Sequence, residues 1–517
     1  MKRLTFAIMV LITAAPLVAQ SARGSLAGLI EAGNRKAALE KIRAGADVNE
    51  AQPDGTRPIN WAVYRVDYEL LEALIAKKAN LNVRNEFGST PIAQAAELAD
   101  ARMVKMLLDA GAEPEGANPD GQTALMLAIK AGNVSVVEML IKAGANINAI
   151  EKFHHQTPLM WAAAATKNAG DMVRLLLAKG ADFKPRALYT DWPSQITSEP
   201  RAQYRPVGGL TAFLYSARDG CYDCLEALIA AGANVNQPTP EGVTALMLAL
   251  DNDHNDVAKL LLDRGASPHL WDWWGRTALY IAIDRRETLS AGNGGRGGAA
   301  RSATPARRTS ADSSMDIINT LLAANVDLNP QLNFHRPSRG GNSGRFIDPL
   351  LNTGCTPLLR ATMAGDSEVV RALLAKEADP NINDMGLTPF LVAAGVGAGN
   401  RGGTGLAAQT SAGGPVNMEL MELLLQHGAD INAQVTGTQT YSMRVSRAPS
   451  ANEGKTALHV AAESGKPDLV RYLLSKGART DIADADGKKA IELVSGAANA
   501  ASAAEIRNLL AKPISRE

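Results

Sequence analysis

The sequence predicts an all-α repeat solenoid: a stack of about twelve short units, each holding a β-turn and two antiparallel helices. Three observations carry this expectation. A phrase of the form Gly-x-Thr-Pro/Ala-Leu recurs along the 517 residues, a Leu-rich segment ending in Gly-Ala-Asp/Asn follows it, and the spacing between copies has one fundamental value. The phrase stands as GSTPI at Gly88, GQTAL at Gly121, HQTPL at His155, GLTAF at Gly209, GVTAL at Gly242 and GRTAL at Gly275. It returns as GCTPL at Gly354, GLTPF at Gly386 and GKTAL at Gly454, with weaker copies GTRPI at Gly55 and GKKAI at Gly487. Successive spacings are 33, 33, 34, 54, 33, 33, 79, 32, 68 and 33, so the period is 33 and three intervals are lengthened by 21, 46 and 35 residues. A single core stops growing at roughly 250–300 residues, a limit that stacked units escape.

Each part of the unit has a physical reason. Thr before Pro or Ala is a helix N-cap followed by a residue suited to the first helical position. Small pairs on the first helix, such as Ala162-Ala163 and Ala461-Ala462, let two helices approach closely. Leu pairs such as Leu107-Leu108 and Leu473-Leu474 supply the buried stripe of the second helix. That helix should end on a residue in the left-handed conformation. The eleven positions are Gly45, Lys78, Gly111, Gly144, Gly180, Gly232, Gly265, Asn325, Glu377, Gly428 and Gly477. Lys78 and Glu377 break the glycine rule and should carry strain of about 1 kcal/mol.

A 33-residue period carrying Thr-Pro-Leu-His-x-Ala marks one repeat class. The chain resembles the ankyrin-repeat family, and TALHVAAESGKPDLVRYLLSKGA from Thr456 is its fullest copy. The resemblance runs from about Ser25 to Pro513 and implies an N-terminal capping repeat at 20–53, an array at 54–485 and a C-terminal capping repeat at 486–517. It also implies a non-enzymatic scaffold that binds a protein partner through turn tips, fingers and concave face.

Composition narrows the classes. Lys and Arg number 53 against 53 Asp and Glu, which argues against a nucleic-acid partner. Residues 1–19 have a short basic head (Lys2, Arg3), an uncharged apolar run and a small residue at Ala19, the pattern of a secretory signal peptide. The run is too short to span a bilayer comfortably, and no stable membrane span is expected after the signal is removed. An uncleaved anchor is the alternative. The expected compartment is the periplasm or the outside of the cell.

Insertions are read at 184–207, 331–352 and 434–452, within turns, where they should form projecting fingers. Two more, at 288–314 and 396–415, fall between paired helices and have too little apolar content to fold.

Chemistry is sparse. Among the seven histidines there is no zinc spacing and no His-Glu-x-x-His, and no cofactor is implied. His459 holds the family's own His position, where it should hydrogen-bond neighbouring loops; His154 and His155 lie at a turn and should be exposed. Cys221 and Cys224 form a Cys-x-x-Cys at the start of a second helix. Cys224 takes the buried slot of Val136 and Val369, and the alternative is a reversible disulfide. Cys355 follows a turn glycine, where most residues are tolerated. Trp61 and Trp161 occupy an inner slot shared with Leu127 and Leu248 and read as core.

The aromatic pattern says most about binding. Aligning Gly275 with the turn glycine puts Trp271, Trp273 and Trp274 at the tip, Arg276 after it, and Asp284 and Arg285 on the concave side. These residues, with Tyr189, Trp192 and Tyr204 of the first finger, are the candidate partner-binding set. A neighbouring finger folded over the tryptophans would instead make an internal cluster. Two alternatives stand beside the scaffold: a glycan or cell-wall binder using the aromatics as stacking platforms, and a thiol-redox protein using Cys221 and Cys224.

Overall fold

In a computed structural model of the chain, the structure describes residues 24–190, 207–290, 311–332, 354–383, 386–397, 415–436, 451–494 and 500–511. They form two compact units, one of the described residues up to Thr190 together with Gly208–Val235, the other of Val207 with the described residues from Asn236 onward. In the first, helices pair as Leu26–Glu31 with Arg35–Arg43, Pro58–Tyr64 with Tyr68–Ala76, and Pro91–Glu97 with Ala101–Asp109. Three further pairs follow: Ala124–Ala131 with Val134–Lys142, Pro158–Ala163 with Ala169–Ala178, and Ala212–Asp219 with Tyr222–Ala230. The second unit pairs Ala245–Asp251 with Asn255–Asp263, Ala278–Ser290 with Ala311–Ala323, and Pro357–Ala364 with Ser367–Leu374. It continues with Pro389–Ala393 and Met418–Gln426, Ala457–Glu463 and Pro467–Ser475, and closes on a 3-10 turn, Ala490–Leu493, with Ala500–Ala511.

The phrase residues act as the sequence requires. Thr157 accepts from Met160 N–H at 3.3 Å, and Thr90, Thr123, Thr211, Thr244, Thr356, Thr388 and Thr456 cap their first helices in the same way. All eleven expected positions after the second helix are left-handed, including Lys78 at φ 61°, Asn325 at 51° and Glu377 at 68°. Val66 (φ 55°) is a further strained residue, a β-branched side chain in the link between two helices. Leu107, Leu176 and Leu473 are fully buried, as the Leu stripe predicts.

Where a Gly-Ala-Asp/Asn phrase ends in Asn, that residue has a structural task. In the first unit Asn49 Oδ1 accepts from Asn80 N–H (2.8 Å), Asn82 from Glu113 (2.9 Å) and Asn148 from Asp182 (2.9 Å). In the second, Asn236 serves Ser267 (2.7 Å), Asn329 serves Asp379 (3.0 Å) and Asn432 serves Arg479 (2.8 Å). Each of these asparagines thereby staples its repeat to the next.

An ordinary turn closes by two backbone bonds, Asp272 N–H to Arg276 O (3.1 Å) and Gly275 N–H to Asp272 O (2.8 Å). The insertions begin and end inside that same closure. Leu332 and Val435, both buried, bond to Cys355 O (3.2 Å) and Lys455 O (2.9 Å), and Gly354 and Gly454 return bonds to them at 2.7 Å. At the first finger Ala187 N–H donates to Leu210 O at 2.9 Å, and the two-residue strands Tyr189–Thr190 and Val207–Gly208 flank residues 191–206.

Three expectations need correction. Trp61 and Trp161 are half-buried, because their slot lies on the rim between helices; Trp61 Nε1 donates to Gln52 Oε1 at 2.7 Å. Cys355 is fully buried against Tyr280, Leu332 and Leu359, so its position is not tolerant. Helix Ala278–Ser290 runs into the expected 288–314 insertion and helix Ala311–Ala323 begins inside it, since Ile317, Ile318 and Leu321 supply a buried face. Residues 1–19, and most of the five insertions, lie outside the described residues.

Candidate functional site

The tip around Gly275 is built on one carboxylate. Asp272 Oδ1 accepts from the N–H groups of Trp274 and Arg276, each at 2.9 Å, and Oδ2 accepts from Arg276 Nε at 2.7 Å. Arg276 reaches on to Asp251 at 2.9 Å, so one buried guanidinium ties the tip to the preceding helix. Burial opposes its charge, but Asp251 and Asp272 outweigh that and strengthen its hold on the proton above the ordinary arginine value. Trp273 N–H donates to Glu241 O at 2.8 Å, which docks this tip on its neighbour. Gly242 makes the approach feasible, since a Cβ there would meet Trp271 O at 3.1 Å.

The candidate set divides on this frame. Trp271 is 66% exposed and Trp273 40%. Trp274, Arg276 and Asp284 are buried and are not surface residues. The Trp274 N–H is bonded to Asp272 beneath the turn, while Asp284 accepts from buried Arg360 at 2.8 Å. Arg285 is half-buried and pairs with Asp253. Beside it, Arg286 Nε donates to Asp366 at 2.7 Å and also reaches Glu368. These ion pairs hold helices together, a role that spacing alone does not distinguish from an exposed binding residue.

In the first unit Tyr189 is exposed where the first insertion leaves the described residues, beside exposed Leu188, whose N–H donates to His154 O at 2.7 Å. His154 and His155 are exposed, and Phe153 stacks edge-on against His154. Trp192 and Tyr204 lie outside the described residues. Phe87 and Phe153 are further exposed tip aromatics, outside the tryptophan cluster; their sequence signal is an aromatic one or two places before the turn position.

Cys221 and Cys224 are joined by a disulfide, with Cα atoms 5.3 Å apart. Cys224 is fully buried, as its slot predicts. His459 Nε2 lies 3.2 Å from Lys488 O, and Nδ1 accepts from Thr456 N–H at 3.2 Å; burial keeps its pKa below the ordinary value. Among the described residues no group of His, Cys, Asp or Glu is arranged to hold a metal ion, and no helix is long and apolar enough to cross a membrane.

Family models for ankyrin repeats match residues 29–118, 100–187, 196–272, 213–291, 353–385 and 387–486. The human mitochondrial disaggregase is 33% identical over 181 residues, 35% of this chain and 24% of that protein. Mouse protein phosphatase 1 regulatory subunit 27 is 35% identical over 91 residues, 18% of this chain and 49% of that one. The Arabidopsis thaliana E3 ubiquitin-protein ligase KEG is 24% identical over 369 residues, 66% of this chain but 18% of its own length. The chain thus matches less than half of each of these relatives.

Proposed function

The chain belongs to the ankyrin-repeat family, and from that premise we propose a non-enzymatic interaction scaffold whose partner is a protein gripped by Trp271 and Trp273. The carrying observation is the contrast within one tip. Its backbone is fixed by buried Asp272 and Arg276 while two indole rings stand exposed. Rigid, exposed tryptophan is the residue type that dominates binding hot spots, and ordering it on a partner carries little conformational cost. A regulatory subunit among the relatives supports the same kind of role. Export is part of the proposal: residues 1–19 have signal-peptide character, and the Cys221–Cys224 disulfide suits an oxidising compartment.

Affinity capture from the source cell's extract tests it, with wild type beside a Trp271→Ala, Trp273→Ala variant of unchanged helicity. A protein retained by wild type and lost by the variant supports the reading. A partner retained equally by both moves the site away from this tip. Retention on insoluble polysaccharide, lost in the variant, would replace the protein partner with a glycan.

A further inference from the structure

Second helices in this fold usually begin on a side-chain oxygen. Asp67 accepts from Leu70 N–H at 3.1 Å, Asp100 from Met103 at 2.9 Å and Asp366 from Val369 at 3.1 Å, while Asn34, Asn133 and Asn417 do the same. At Tyr222–Ala230 a sulfur takes that place: Cys221 Sγ accepts from Cys224 N–H at 3.3 Å. A position that accommodates a carboxylate in three sister helices accommodates a thiolate for the same reason, the unpaired N–H groups and dipole of the helix start. Helix starts of this kind make cysteine reactive.

The two sulfurs are unequal in access. Cys221 is half-buried and lines an open cleft of about 440 Å³, formed with Asn168, Gly170, Asp171, Arg174 and Tyr222. Cys224 is sealed in the core. Gly170 keeps the cleft narrow at its floor, where a Cβ would meet the Asp223 side chain at 2.7 Å. Asp171 is neutralised by Arg174 at 2.7 Å, and Asp223 remains on the rim as a negative neighbour of the sulfur.

We propose that Cys221–Cys224 is a thiol–disulfide exchange site, at which a dithiol partner attacks Cys221 from the cleft and Cys224 is the leaving sulfur. A thiolate of the partner forms a bond to Cys221 Sγ as the Cys221–Cys224 bond breaks, and Cys224 departs as a thiolate that takes up a proton. The partner's second thiolate then attacks its own sulfur in the mixed disulfide, and Cys221 leaves as a thiolate at the helix start. Two electrons pass from the dithiol, which becomes a disulfide, to this chain, which becomes a dithiol; the reverse sequence oxidises it. The assignment is independent of what the Trp271 tip binds.

The probe is dithiothreitol on the folded full-length chain, followed by alkylation and mass spectrometry, with helicity followed by circular dichroism. The expected result is a new label at 221 while the reduced chain is still folded with its helicity retained, and a label at 224 only when the alkylated chain is afterwards unfolded. A disulfide absent from the purified oxidised protein, or one reducible only after unfolding, overturns the proposal without any variant. The order of attack is read from variants, because serine also caps helices. Cys224→Ser should trap oxidised glutathione on Cys221, and its Cys221 should alkylate about tenfold faster at neutral pH than in the urea-unfolded chain. Cys221→Ser should leave Cys224 nearly inert. Equal reactivity of the two single cysteines would sink the assigned roles.

Discussion

Asn381 holds Asp430 in register across 49 residues of chain, its Oδ1 accepting the Asp430 N–H at 2.8 Å. An insertion lies between them, and the staple is the same one that joins Asn82 to Glu113 across 31 residues. Asn417 N–H donates to Ala393 O at 2.8 Å and closes the insertion from the other side. Asn381→Ala should therefore lower stability by about 0.5–1.5 kcal/mol, read from the urea midpoint. Replacing 398–414 with a short Gly-Ser link should change it by less than about 0.6 kcal/mol, since closure entropy varies slowly with length. If the replacement unfolds the chain, the staples do not set the register.

Lys78 and Glu377 occupy left-handed backbone without a glycine's freedom. Lys78→Gly and Glu377→Gly should each stabilise by about 0.5–1 kcal/mol, the relieved strain less the added freedom of the unfolded chain. Thermal midpoints that fall instead would show the side chains contributing more than the strain.

Asp284 and Arg360 are a buried pair between two first helices. Arg360→Met should cost about 3–5 kcal/mol by leaving the carboxylate without its partner. Arg360→Met combined with Asp284→Leu should recover most of that loss in the same denaturation experiment. Additive losses would mean the two residues do not act on each other.

His459 ties acid sensitivity to the C-terminal repeats. Its pKa is depressed in the folded chain, first by burial, so the unfolded chain binds the proton more tightly. The stability it contributes is complete above the unfolded value of about 6.5 and is lost as the pH falls through the lower folded value. His459→Gln should flatten the dependence of the thermal midpoint between pH 7.5 and 5 relative to wild type; identical slopes would remove His459 as its source.

Leu176 is fully buried in the Leu stripe of its helix. Leu176→Ala should cost about 2–5 kcal/mol as a cavity substitution. A silent substitution would mean that the helix register is misread.

Periodicity made the scaffold legible because every repeat solves the same problem with the same residues. Thr157 and Thr456 cap helices, Gly144 and Gly477 end them, and even the exceptions at Lys78 and Glu377 fall where the period puts them. The site was less legible. Whether an arginine beside a turn glycine faces a partner or the interior depends on which carboxylates the fold brings to it, and buried Arg276 meets both Asp272 of its own turn and Asp251, 25 residues earlier at the end of a helix. Trp274 and Trp273 are adjacent in sequence yet differ in exposure, 5% against 40%, a difference that the turn position of the two residues does not encode. Cys355 shows the same limit, its burial set by Tyr280 and Leu332 rather than by its place after a glycine.

The Gly275 tip keeps its shape through main-chain bonds and through Asp272 and Arg276, none of which involves the rings of Trp271 or Trp273. Position 271, two-thirds exposed, can therefore vary without disturbing the bonds that close the turn. On the proposed reading of this tip, exchanging that one side chain would change what is recognised while the turn beneath it stays closed, so a new specificity would be reachable by a single substitution.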